Sequence, residues 1–473
     1  VIIPGILPSA ANKQTRNITA FAIHGIGRTS ACFADPILDM FSGERFRTRP
    51  VDDDLCDPRG VSVIAMPVCL ATSYGVTGEA FVELGPDDEP RVIGKECGNA
   101  SGASDILVGV RPGAVSDSPL RVARMGTLFR YSTEVTYVDG DGLSYNLDAT
   151  TYAYWWHGDA NAIQAPFVGK DQSPERTQER VIANRELKRI VMNEGLVDAA
   201  FFLGSGGALL REGTQSALCR MVLDVEGVVP ASELVRDPCQ RLTSVRDFTN
   251  LKRSQVVLLT QSLGSRILFD SMSGFRSDRP ASNLAAEIEA RSIGDSILES
   301  GPLVYMSANQ LPLLGVADVQ ITDPRDSFRD RSLAVGEEPG FQEELEQRAV
   351  VQTPSQVITA QGMVPVPEPL PQAEPAKVGA GKAPQQVSLV SFYDPNDLLG
   401  YPAGDHLPEE RQRLYIDVQQ RYAIPWFFFA NPAAAHDKSF NRNRARRMIL
   451  CGAQQEADNR LTLRMNADCR APR

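Results

Sequence analysis

The chain has 473 residues, a net charge of −11 and a hydrophobic share of 42%. That length suits two to three average domains and buries an ample core without staples. The acidic balance argues against a nucleic-acid partner and against anionic membrane surfaces; no apolar run approaches the ~18 residues of a membrane span.

Residues 1–17 read as an extended leader. No secretion signal is visible there, but the sequence opens on Val1 rather than Met, so that absence carries no weight. Ile18-Thr19-Ala20-Phe21-Ala22-Ile23 reads as a buried strand running into the loop His24-Gly25-Ile26-Gly27. Residues 50–150 are rich in Gly, Asp, Pro and β-formers and read as a β-rich insertion, with a strand over 61–70. Residues 128–138 and 143–156, joined by Asp139-Gly140-Asp141-Gly142, predict a hairpin. The stretch 150–156 reads equally well as the next core strand.

Ser173-Pro174-Glu175 is a helix start, and Val181, Leu187, Ile190 and Val191 continue at helical spacing, predicting a helix over 173–200. A second helix is expected over 208–223. Val256-Val257-Leu258-Leu259 is a short buried strand, followed by Thr260-Gln261-Ser262-Leu263-Gly264 and an amphipathic helix over 265–272. A helix over 282–299 and a strand at Leu303-Val304-Tyr305-Met306 follow, then a charged, surface-like stretch over 325–350. In 351–386, Pro354, Pro365, Pro367, Pro369, Pro371, Pro375 and Pro384 mark an extended linker or a lid-like insertion. The strand from Val387 to Tyr393 then delivers Asp394-Pro395-Asn396-Asp397. Ile424-Pro425-Trp426-Phe427-Phe428-Phe429 reads as the last strand, before a loop holding His436, one of only four histidines.

The stretch around Ser262 has the layout of a nucleophile elbow: buried strand, sharp turn carrying a serine, then helix. Such a turn lifts the hydroxyl above the sheet edge, and the helix N-terminus aims free N–H groups at the same point. Gly264 suits the tight turn; Thr260 stands where the usual G-x-S-x-G pattern has its first glycine. A serine hydroxyl needs a base to take its proton, and a histidine held by a carboxylate supplies one. The chain order is His-Gly loop, Ser262, acid, His436.

In that order and context the sequence resembles the α/β-hydrolase superfamily, on its lipase/esterase side, over residues 18–440. The resemblance implies one α/β domain over 1–473: a mostly parallel central sheet flanked by helices, with large insertions. It assigns Ser262, His436 and Asp397 as a catalytic triad, Leu263 and Ile26 as oxyanion-hole donors, and His24, Gly25 and Gly264 as support. Asp397 is favoured as the acid because it precedes the apolar pair Leu398-Leu399; Asp394 is the alternative, or caps its turn before Pro395. His157 and His406 are competing bases, His157 preceding the nucleophile and His406 following the acid closely. A plain helix N-cap is the structural alternative for Ser262.

No cofactor is expected. Gly204-Ser205-Gly206-Gly207 lacks the lysine of a phosphate loop. Asp52-Asp53-Asp54 with Asp57, and Asp139 with Asp141, read as solvated turns, and no metal site is assigned. Among the eight cysteines no C-x-x-C occurs, which disfavours zinc and thioredoxin-type sites. Cys219–Cys239 and Cys451–Cys469 are the leading disulfide pairs, against buried free thiols; a disulfide would fit an extracytoplasmic location (periplasmic or secreted) rather than a cytoplasmic one. The expected activity is hydrolysis of a small ester or lipid-like substrate, with oligomeric state open. A non-catalytic binding or assembly protein on the same fold is the rival reading.

Overall fold

The computed structural model describes residues 2–3, 5–6, 16–25, 33, 82–83, 103–110, 121–138, 144–156, 196–204, 206–229, 238–245, 247–273, 284–315, 341–349, 358–359, 362–363, 388–395, 397, 399–404, 407, 411, 414–420, 436, 443–455 and 463–465. The expected strands at 61–70 and 424–429, the turn at 139–142 and the expected helix up to residue 195 lie outside them.

Six strands form a parallel run at the centre of an eleven-stranded sheet. They are β1 (Arg16–Ile23), β2 (Ser144–Trp156), β3 (Gln255–Gln261), β4 (Leu303–Ser307), β5 (Ser388–Tyr393) and β6 (Tyr415–Gln419). Their spatial order is β2-β1-β3-β4-β5-β6. With helices on the sheet, the chain is α/β in class. β3 is buried along Val256 to Thr260 and β4 along its whole length, as expected where helices cover both faces of a parallel sheet.

The ambiguity over 150–156 resolves because one strand does both jobs. β2 pairs antiparallel with Arg121–Val138 and parallel with β1. The hairpin strands therefore extend the central sheet.

In-register residues on neighbouring strands share a face. Thr260, Met306 and Ser391 lie in one register row and Leu259, Tyr305 and Val390 in the next, pointing the other way. The first face is covered by helices α1 (Gly206–Val225), α2 (Gly264–Ser273) and α3 (Leu284–Glu299), which pack on one another. Leu218, Leu223, Ile267, Leu268, Ile293 and Ile297 are their buried anchors; each such side chain stabilises the fold by ~1.5–3 kcal/mol when fully buried. The second face meets α5 (Asn443–Cys451): the Tyr305 hydroxyl donates to the Ile449 carbonyl at 3.4 Å, and the Ile6 N–H donates to that carbonyl at 2.9 Å. The described start of the chain joins the same region: Ile2–Ile3 pairs with the strand Ala453–Gln455, and Ile6 is buried.

One further expectation is corrected. The charged stretch 325–350 is not all surface. Its end forms α4 (Phe341–Arg348), whose Phe341, Leu345 and Glu346 are buried, because the polar residues hide an apolar pair at i, i+4. Within 351–386, Ile358–Thr359 and Gly362–Met363 are short strands, and Ile358 pairs parallel with Val418 of β6. A disulfide joins Cys219 of α1 to Cys239 of the short helix Pro238–Leu242. Cys469 lies outside the described residues.

Candidate functional site

The carboxyl ends of parallel strands collect at one edge of the sheet. β1 connects onward to β2 on one side, and β3 lies on the other. Adjacent strands whose connections leave in opposite directions open a crevice, and ligands of open α/β sheets bind in such crevices. His24-Gly25 follows β1 and Ser262 follows β3, so both border it.

Ser262 has φ 55°, a left-handed conformation rare for a residue with a side chain. The neighbourhood over-determines it. The Ser262 N–H donates to the Ser307 carbonyl of β4 at 2.8 Å. A Cβ on Gly264 would lie 2.6 Å from the His24 carbonyl oxygen and 2.8 Å from that of Ile23. A Cβ on Gly25 would lie 2.1 Å from the Ser262 Cβ. Glycine is therefore required at both positions, because the two turns touch backbone to backbone.

The structure brings Ser262, His436 and Asp397 together. Ser262 Oγ is 2.8 Å from His436 Nε2, and His436 Nδ1 is 2.9 Å and 3.0 Å from the two Asp397 oxygens. With Nδ1–H donating to the carboxylate, Nε2 is left to accept the serine proton. All three side chains are buried. Asp397 is held in turn: Leu399 N–H donates to its Oδ1 at 2.9 Å, and its own N–H donates to the Asp394 carbonyl at 2.9 Å. Gly400 passes so close that a Cβ there would lie 2.2 Å from Asp397 Oδ2. Farther along the same loop, the β6 carboxylate of Asp417 accepts from the N–H groups of Ala403 and Gly404. Asp394, the alternative acid, is buried at the end of β5.

Leu263 immediately precedes α2, at the helix end whose first N–H groups lack intrahelical partners. Ile26, His157 and His406 lie outside the described residues, as do the Asp52–Asp57 and Asp139–Asp141 clusters. Among the described residues no group of three or more His, Cys, Asp or Glu is placed to hold a metal ion. No described helix is long and apolar enough to cross a membrane.

His24 is not a base for Ser262. Its ring stacks on Trp156 at a centroid distance of 4.9 Å, with Nδ1 2.9 Å from the Gly25 carbonyl and Nε2 3.2 Å from that of Trp156. Trp156 Nε1–H donates back to the His24 carbonyl at 3.0 Å. Burial pushes the imidazole down to about 3, although both carbonyls favour the proton. The neutral ring therefore fastens the end of β1 to the end of β2.

Trp156, Gly400 and Asp417 were not picked out from the sequence, because their roles depend on contacts across strands and loops. Comparison of the chain with protein-family models, with curated proteins and with solved structures returns no match.

Proposed function

We propose that this chain is a serine hydrolase of α/β-hydrolase type that cleaves carboxylic esters, with Ser262 as nucleophile, His436 as base and Asp397 as its carboxylate partner. The observation that carries the reading is the unbroken Ser262–His436–Asp397 chain, ending on a serine at positive φ between a strand and a helix. An N-cap serine has no need of a histidine on its hydroxyl, and a cap residue sits in extended backbone, not the left-handed region.

In the proposed reaction Ser262 Oγ attacks the ester carbonyl while its proton passes to His436 Nε2. Asp397 keeps the ring in the accepting tautomer and stabilises the imidazolium. The oxyanion is met by the Leu263 N–H and by a second donor assigned to Ile26 in the His-Gly loop. His436 returns the proton to the leaving alcohol, and water, activated by the same base, releases the acid and restores Ser262. Labelling with a fluorophosphonate, with Ser262→Ala as control, tests the reading. Labelling of the wild type that the substitution removes is expected; an unlabelled wild type without ester hydrolysis would give way to the binding-module reading.

We also propose an extracytoplasmic location, on the strength of the buried Cys219–Cys239 bond. Closing a loop of that length contributes ~3 kcal/mol in the chain-entropy model. The Cys219→Ser, Cys239→Ser double variant is expected to lose that much in denaturant unfolding. Two free thiols at these positions in protein denatured without reductant would remove the argument.

A further inference from the structure

Thr260 is the one departure from the elbow pattern, and the structure gives it a partner. Its Oγ1 lies 2.6 Å from Ser265 Oγ, and both residues are fully buried. Thr260 is the next-to-last residue of β3 and Ser265 sits in the first turn of α2, so the bond closes a bracket around the residues that carry the nucleophile. Other fastenings of this turn include Ser262 N–H on the Ser307 carbonyl and the close approach of Gly264 to Ile23 and His24. Those tie the turn to neighbouring strands. The hydroxyl pair instead ties the strand entering the turn to the helix leaving it, side chain to side chain.

We infer that Thr260 and Ser265 form a positioning clamp: their hydrogen bond holds Ser262 at its left-handed φ and keeps the N-terminus of α2 aimed at the reacting carbonyl. A glycine at position 260 relieves crowding; a threonine with a hydroxyl partner instead fixes the turn from inside. The inference rests on the proposed hydrolase reading. Neither residue touches substrate, so the clamp acts through the placement of Ser262 Oγ and the Leu263 N–H. A displaced nucleophile lowers the rate of the chemical step and leaves ground-state binding alone.

The test uses the full chain and two readouts: steady-state hydrolysis of a short aryl ester, and the rate of fluorophosphonate reaction at Ser262. Thr260→Val is expected to lower kcat and the labelling rate about tenfold, with KM within about twofold. Thr260→Ser, which restores the hydroxyl, should recover both. Ser265→Ala removes the bond from its other end and should reproduce the loss, so a failure of Thr260→Val to fold leaves the clamp open to disproof. The Thr260→Val, Ser265→Ala double variant should lose no more than the larger single loss, since both remove one bond. A wild type that labels normally alongside variants that keep its kcat, or losses that multiply in the double variant, would overturn the clamp and leave the hydrolase reading standing. A wild type that never labels overturns both.

Discussion

Buried carboxylates sit at both ends of the central sheet, and only one of them has the makings of a reactive site. At the carboxyl edge Asp397 meets His436, which reaches the Ser262 hydroxyl. At the amino edge Glu346 of α4 meets Tyr415, the first residue of β6: the Tyr415 hydroxyl donates to Oε1 at 2.5 Å, Gln342 donates there at 3.1 Å, and Arg411 Nε donates to Oε2 at 2.5 Å. Burial, followed by the adjacent carboxylate, raises the Tyr415 pKa well above the ordinary phenol range. These three partners of Glu346 are thus donors near neutral pH. Asp397 has instead an imidazole partner, whose far nitrogen faces the Ser262 hydroxyl. Burial of a carboxylate alone therefore does not separate the two edges; the imidazole that links Asp397 to a hydroxyl at positive φ does.

The largest effects should come from cutting the Ser262 arm. Ser262→Ala is expected to lower ester hydrolysis by roughly five to six orders of magnitude while the unfolding midpoint barely moves. Wild-type turnover in that variant would erase the distinction between the two edges. Asp397→Asn should cost about 10⁴-fold in kcat, because it favours the wrong ring tautomer. Asp394→Asn should cost far less; a reversal of that ranking would move the acid to the end of β5.

Much of the frame of this site was legible in the sequence, and the reasons are physical. Short continuous apolar runs rich in β-branched residues or bounded by turn residues, such as Val256 to Leu259 and Leu303 to Met306, fit buried strands between helix layers, and they appear as β3 and β4. The positions of Ser262, Asp397 and His436 after strands or in the loops beyond them made their meeting foreseeable from chain order. β6 was missed because Asp417 interrupts its apolar pattern; that carboxylate is consumed by the Ala403 and Gly404 N–H groups, contacts invisible to periodicity. α4 was hidden by its charges, since Glu346 is buried only because Tyr415 and Arg411 come from far along the chain. Thr260 looked like a defect in the elbow for the same reason: its partner Ser265 is recognisable only once strand and helix are folded over each other.

The His24 ring offers a sharper separation of scaffold from chemistry. It is neutral when folded, with its pKa lowered from 6.5 to about 3, and it takes up a proton near 6.5 when unfolded. A depressed basic group contributes stability that is complete above the unfolded value and is lost progressively as pH falls toward the folded one. The slope for one proton is about 1.4 kcal/mol per pH unit. Denaturant unfolding at pH 7, 6 and 5 should therefore show declining stability, and His24→Gln should flatten that decline by roughly one proton's worth. An unchanged slope would mean that His24 is protonated, or reached by water, in the folded chain.

The smallest effect belongs to the amino edge, and it tests the comparison from its other side. Glu346→Gln keeps the side-chain volume and removes the charge that Tyr415 and Arg411 share. The amide carbonyl can accept from only part of the set, and its NH₂ faces a group that also donates, so one buried donor loses its acceptor. Arg411 is half-buried and recovers some hydration, which keeps the cost near that of one charge-assisted bond, about 2 kcal/mol in urea unfolding. Turnover should stay within about twofold of wild type, because α4 and Tyr415 act at the edge of the sheet opposite Ser262. A loss of kcat beyond tenfold, with stability unchanged, would show that the two carboxylate clusters communicate through β6 and that the amino edge is part of the catalytic machinery after all.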